Sequence, residues 1–248
     1  MREEMLCYSA LFDGSRESLE RIREISRAMP LELRVPSERL VEMSLTEVVD
    51  PLLEEGLSAL AVKPVGDVRE LLNEEFERLL IMADELHAQY VVLPVRSEWI
   101  DRVIEVMSDF FRLGATYSKY IALEPSREAL AKAVAAMREY LGGVFKLSIA
   151  PSPASTTEEL VALTLAHLGQ VVAVKLANFT PEGGAVRLLS SEGVINPFRV
   201  VKELLEHGYD SYFVIDYESF GLELPPRLVK RDYVLLSQYL YSLVEKLR

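Results

Sequence analysis

Eight short runs rich in β-branched and aliphatic residues alternate with amphipathic helical runs along this chain. The runs are Met5–Leu11, Leu31–Val35, Leu57–Val62, Tyr90–Val95, Tyr120–Glu124, Val144–Ile149, Val171–Leu176 and Ser211–Tyr217. Each is mostly apolar and bounded by Pro, Gly or polar residues, as expected of parallel strands buried on both faces. Helix start signals lie between them. Ser15 is placed to cap Arg16–Ala28, and Ser126 to cap Arg127–Leu141 ahead of Gly142-Gly143. Asn196 followed by Pro197 opens a helix that runs to His207-Gly208. A short polar cap, proline at the first helical position and glycine past the end are what unpaired helix termini select.

Strand then helix, eight times over, is the order that closes a parallel sheet on itself. The expected fold is α/β, a single (β/α)8 TIM barrel spanning residues 1–248 as one domain, a usual length for that architecture. An open doubly wound sheet is the runner-up. It is less favoured because the spacing is regular and no glycine-rich phosphate turn follows the first strand, where Phe12-Asp13-Gly14-Ser15 reads as a turn and cap. The segment Gly183–Gly193 is the longest interruption, and in a barrel it lies on the C-terminal face, where active sites are built.

Composition removes several function classes. No run of 18 uninterrupted apolar residues exists, and the N-terminus lacks the basic and apolar regions of a signal peptide, so a soluble, cytoplasmic protein with no membrane partner is expected. The single Cys7 excludes an internal disulfide and, in Met5-Leu6-Cys7-Tyr8, reads as a buried structural thiol. A formal net charge of −12 repels phosphate backbones, and the densest basic cluster, Arg227 to Arg231, holds three positive charges, so no nucleic-acid partner is expected. Asn and Gln are scarce while Glu, Arg and Lys are plentiful, the balance of a thermophilic source.

The C-terminal third carries the sharpest local pattern: Gly193-Val194-Ile195-Asn196-Pro197-Phe198, Val200-Val201-Lys202-Glu203-Leu204-Leu205, and Gly208-Tyr209-Asp210-Ser211-Tyr212-Phe213-Val214-Ile215-Asp216-Tyr217-Glu218. It resembles the closing unit of xylose isomerase-like TIM barrels, and Ile121-Ala122-Leu123-Glu124-Pro125 resembles their fifth-strand element. That family includes sugar and sugar-phosphate isomerases and epimerases and, more distantly, type IV apurinic endonucleases. The resemblance implies carbohydrate metabolism and a metal site, but the ligand positions depart. Glu124 matches a ligand and catalytic carboxylate, and Asp216 stands where the eighth strand offers a glutamate. Leu93, Ala150, Pro153, Lys175 and Lys63 occupy positions where members carry histidine or aspartate. His87 and His207 fall near helix ends and His167 within a helix. Two carboxylates alone make a weak, hydrated site, so no bound zinc or other cofactor is expected.

Strand alternation groups the inward candidates. Tyr120, Ala122 and Glu124 share one face, as do Ala59, Ala61 and Lys63, Ala173, Lys175 and Ala177, and Val214 and Asp216. The mouth is therefore expected to set Glu124 and Asp216 against Lys63 and Lys175, with Arg34 nearby. Two readings fit. In one, the lysines polarise a carbonyl or bind phosphate while Glu124 moves a proton, with Asp216 as partner and Lys175 as electrophile. In the other, the lysines merely neutralise buried carboxylates. A Schiff base on a strand-end lysine would need a depressed pKa, which adjacent carboxylates oppose. Substrate-binding candidates are Lys63, Arg34, Asn178 and Glu218, the last two just past strands seven and eight. Ser190-Ser191-Glu192-Gly193 offers hydroxyls and N–H groups to a phosphate or is simply a loop, and Trp99 is a lid or a packing residue. Tyr233, Leu236, Leu240, Leu243 and Leu247 form the stripe that packs the last helix on the barrel, flanked by Tyr239 and Tyr241 as a homodimer contact.

The expected function is that of a sugar or sugar-phosphate isomerase or epimerase acting by proton transfer on a small polar or phosphorylated metabolite. The alternative is a non-catalytic diverged barrel that binds a metabolite or a protein partner. Endonuclease activity comes third, because a metal cluster and a basic groove are both missing from the pattern.

Overall fold

The computed structural model describes residues 5–66, 76–141 and 145–247. The strands are Leu6–Leu11 (β1), Leu31–Pro36 (β2), Ala61–Val65 (β3), Tyr90–Val95 (β4), Tyr120–Pro125 (β5), Lys146–Ile149 (β6), Val171–Leu176 (β7), Asn178–Phe179 (β8), Ala185–Val186 (β9) and Tyr212–Ile215 (β10). All but β8 and β9 pair in parallel, in the order β1-β10-β7-β6-β5-β4-β3-β2, and β2 returns to β1 to close the barrel. The helices are Arg16–Ser26 (α1), Ser37–Glu42 (α2), Leu45–Glu54 (α3), Phe76–Glu85 (α4), Ile100–Thr116 (α5), Arg127–Leu141 (α6), Thr157–Ala166 (α7), Pro197–Glu206 (α8) and Pro226–Lys246 (α9).

The expected caps are made. Ser15 accepts from Ser18 N–H at 3.1 Å, and Asn196 accepts from Arg199 N–H at 3.1 Å with Pro197 opening α8. Reciprocal capping boxes at Ser44/Glu47 and Thr156/Glu159 start α3 and α7. Each cap is worth about 1 kcal/mol, and together they fix where each helix leaves the barrel rim.

Several expected boundaries shift. The third strand begins at Ala61, not Leu57, because Ala59 N–H bonds Leu86 C=O at 3.0 Å and Leu60 N–H bonds Leu31 C=O at 2.7 Å as a lead-in. It continues through Pro64 to Val65, beside β2, where the register pairs Val35 with Pro64. β3 pairs with β4 at Ala61 and Val62, before Pro64, so the missing proline N–H interrupts neither pair. Two helices, α2 and α3, span the connection from β2 to β3. His167 is the C-cap of α7 and not a residue of its interior. The segment after β7 contains a small antiparallel ribbon in which Asn178 faces Val186 and Phe179 faces Ala185. The buried face of α9 is Val229, Asp232, Leu236, Leu240 and Val244, whereas Leu247 is exposed. Val144 and the Gly142-Gly143 stop lie outside the described residues.

The barrel interior is layered. Ala61, Val92 and Ala122 fill one side and Cys7, Ala173 and Val214 the other. Small apolar residues there leave room, one pleat higher, for longer charged side chains that end at the mouth. Cys7 is fully buried, and that burial pushes its thiol far above the ordinary range, as expected of a structural cysteine.

Candidate functional site

Strand register decides which charges meet. Arg34 sits beside Lys63, Glu32 beside both Ser9 and Ala61, and Lys175 beside Val214. All face inward, so β1, β2, β3, β5, β6 and β7 contribute to one buried polar chain. Ser9 donates to Glu32 Oε1 at 2.8 Å, and Glu32 Oε2 receives the Lys175 ammonium. Lys175 Nζ also lies 3.6 Å from Glu124 Oε2, which accepts from Ser148 at 2.8 Å, while Glu124 Oε1 receives the Lys63 ammonium. Lys175 is 0% exposed and Glu32 1%, so this end of the chain is cut off from bulk water, while Lys63 and Glu124 reach the mouth.

Its electrostatics follow. Burial alone pushes the Glu124 carboxyl up, but Lys63 and Lys175, with hydrogen bonds from Lys63 and Ser148, outweigh it and hold the group at about 2. Burial alone would pull the Lys175 ammonium down, yet Glu32, Glu124 and Asp216 outweigh it and hold the group above the ordinary lysine range. A lysine held charged in this way is a poor amine nucleophile, which opposes a Schiff base.

Above this chain opens a cavity of about 390 Å³, walled by Arg34, Lys63, Arg96, Glu124, Arg127 and Asp216 among others. Five of the groups expected at the mouth are placed as follows. Glu124, Lys63, Arg34 and Asp216 are brought together on the cavity wall, and Lys175 lies beneath them, bound by Glu32 and Glu124. Asp216 is 1% exposed and accepts from Ser219 N–H at 3.1 Å. Glu218 sits at the edge of the mouth and is engaged by its own frame. Its carboxylate accepts from Tyr8 OH at 3.0 Å, Leu11 N–H at 2.8 Å and Arg21 at 3.0 and 3.1 Å. Asn178 is buried in the loop after β7, where Oδ1 accepts from Phe179 and Ile195 N–H and Nδ2 donates to Leu188 C=O. Gly193 packs directly on that amide: a Cβ there would stand 2.0 Å from Asn178 Nδ2, so only glycine fits.

Other candidates take structural places. Ser190 Oγ accepts from Glu192 N–H at 3.2 Å within its own loop. Trp99 precedes α5, half-buried against the core, with the Arg96 guanidinium 5.6 Å above its ring. Tyr239 meets Phe198 edge-on at 4.9 Å, and Tyr241 is exposed. Glu32 is the charged member of this chain that was not foreseen, as Ser9 and Ser148 were not, although Leu31-Glu32-Leu33-Arg34 carries a signal: alternation puts Glu32 on the same face as Arg34. A second buried cluster was also unforeseen. Arg187 Nε donates to Asp232 Oδ2 at 2.8 Å, Tyr217 OH donates to the same carboxylate, and Leu188 N–H donates to Tyr217 OH, latching the loop to α9.

The donor set does not fit a divalent metal. Both Glu124 oxygens are taken by ammonium and hydroxyl donors, and ammonium groups offer a dication no lone pair and repel it. Among the described residues no three His, Cys, Asp or Glu side chains are grouped so as to hold a metal ion. No helix among the described residues is long and apolar enough to cross a membrane.

No family model matches the sequence, and no curated protein matches it. Solved structures do match in fold. A xylose isomerase domain protein from Planctomyces limnophilus aligns with TM-score 0.68 at 10% identity, over 97% of this chain and 99% of that one. A sugar phosphate isomerase/epimerase from Parabacteroides distasonis aligns with TM-score 0.61 at 9% identity, over 94% of each chain. A xylose isomerase-like TIM barrel protein from Mycobacterium smegmatis, solved in complex with magnesium, aligns with TM-score 0.64 at 14% identity, over 92% of this chain and 88% of that one.

Proposed function

We propose that this chain, whose likeness to xylose isomerase-like TIM barrels at such identities is one of architecture, binds a small polyhydroxylated metabolite at the barrel mouth, using fixed lysine charge where a divalent ion would otherwise stand. The observation that carries this reading is Lys63. It lines the cavity, and its ammonium rests on the carboxylate that a metal would need. A cavity of about 390 Å³ suits a molecule of a few carbons, and its wall of charged and hydroxyl groups suits polar ligands. The neighbours named as sugar phosphate isomerase/epimerase and xylose isomerase domain proteins favour the same substrate class. Glu124, held at about 2 with both oxygens engaged, is a weak proton acceptor near neutrality, which favours binding over turnover through that residue.

Asp216 favours a second reading, isomerase or epimerase turnover. It lines the same cavity and forms no ion pair among the described residues. In this reading its carboxylate takes a proton from a substrate carbon next to a carbonyl. The C–H electron pair becomes the enediolate double bond, and the Lys63 ammonium stabilises the oxyanion. Glu124 and Lys175 then act as positioning residues for Lys63. A panel of pentoses, hexoses and their phosphates in D2O separates the two readings by NMR. Binding without carbon-bound deuterium supports the first. Deuterium incorporation that is lost in Asp216→Asn, with binding retained, supports the second. Neither binding nor exchange contradicts both.

A further inference from the structure

We infer that the ligand of the mouth carries an oxyanion, a phosphate monoester or a carboxylate, and that Arg34 is the residue that reads it. The inference rests on the metabolite site proposed above and adds the charge of its ligand. Arg34 is 7% exposed and lines the cavity, yet its Nε and Nη1 have no hydrogen-bond partner among the described residues. Among the described residues the nearest carboxylate is Glu218, 3.9 Å from Nη1, beyond hydrogen-bond reach, and both its oxygens already accept from Tyr8, Leu11 N–H and Arg21. The neighbouring cations differ: the Lys63 and Lys175 ammonium groups both rest on carboxylates.

Buried donors in native proteins are paired almost without exception, so two free nitrogens on one buried guanidinium call for an acceptor from outside the chain. Arginine cannot meet the demand by losing its proton, as a lysine can. The guanidinium keeps its charge and offers those donors to the oxygens of a phosphate or carboxylate. The surroundings agree in sign. Among the described residues the cavity wall holds four cations, Arg34, Lys63, Arg96 and Arg127, against the three carboxylates Glu124, Glu128 and Asp216, in a chain whose net charge is −12. That leaves an excess of one positive charge facing an entering anion. The first turn of α6, Ser126 to Glu128, also borders the cavity and points the positive end of a helix dipole toward it.

Calorimetric titration of the intact protein at low ionic strength, with glycerol 3-phosphate, glycerate, inorganic phosphate and glycerol as probes, tests this. At least one oxyanion probe is expected to bind about tenfold or more tightly than glycerol, and the tighter of glycerol 3-phosphate and glycerate identifies the group. Arg34→Met is expected to abolish that preference, and Arg34→Lys to weaken it severalfold, because an ammonium is a point charge without the fixed donor directions of a guanidinium. Should Arg34→Met not fold, the Arg34→Lys titration decides alone, and undiminished preference there overturns the inference. Glycerol binding with no added affinity for the charged probes removes the oxyanion and leaves the metabolite site standing. No binding of any probe removes both. A preference that survives in Arg34→Met assigns a bound anion elsewhere and also overturns the inference.

Discussion

On the floor of the barrel mouth Lys175 has no exposed surface and two carboxylates in reach; on the wall above, Arg34 is almost as buried and two of its nitrogens have no partner among the described residues. Both are cations at inward positions of barrel strands, so burial alone does not separate them. What separates them is closure. The floor runs Ser9, Glu32, Lys175, Glu124, Lys63 with each charge answered by its neighbour, and the cost of desolvation is offset within the chain. The wall leaves its answer to a ligand. A closed buried network contributes to the fold, whereas an open one of the same chemistry is available for recognition.

The largest expected effect breaks the floor. Lys175→Met leaves Glu32 without a counter-charge and Glu124 with Lys63 alone, and chemical denaturation should show a loss of about 3–5 kcal/mol. Combining it with Glu32→Gln should recover part of that loss, since one uncompensated charge is gone. Stability unchanged in the single variant would mean that the floor is not a paired unit.

A somewhat smaller effect is written in pH. Glu124 ionises near 2 in the fold against an ordinary value of 4.5, so its folded pKa is depressed. Its contribution, about 3 kcal/mol, is fully present above pH 4.5 and is lost as pH falls from there toward 2. Denaturation between pH 2.5 and 6, a range chosen around those two values, should therefore show a steeper acid decline in wild type than in Glu124→Gln. Equal slopes would separate Glu124 from the lysines.

The smallest effect belongs to the wall. Arg34→Met removes a guanidinium with two unanswered nitrogens, so the ligand-free protein should change by less than about 1 kcal/mol or gain stability. A loss as large as that of Lys175→Met would show that Arg34 is closed off within the fold like the floor and is not held open for a ligand.

The barrel itself was legible because eight apolar runs at regular spacing leave few ways to bury both faces of every strand. Lys63, Glu124, Arg34 and Asp216 were legible at the mouth because alternation and strand order place them there without any knowledge of packing. Which charge pairs with which was not. Lys175 reaches Glu32, from a strand 143 residues earlier, and this depends on register across a closed sheet, which a sequence pattern does not encode. The ribbon after β7 was missed because two-residue strands carry no period. Asn178 and Glu218 lie just past the seventh and eighth barrel strands as expected, but neither lines the cavity, and their hydrogen bonds run to Tyr8, Arg21 and the loop backbone, partners that tertiary packing alone brings within reach.

Elemental analysis would show whether lysine charge stands at this mouth in place of a divalent ion. Purified protein would be equilibrated with Mn²⁺, Zn²⁺, Co²⁺ and Mg²⁺ in turn and passed through gel filtration. The expectation is no stoichiometric metal in wild type. One equivalent retained by wild type and lost in Glu124→Gln would contradict it, showing that Lys63 and Lys175 yield the carboxylate to a metal after all.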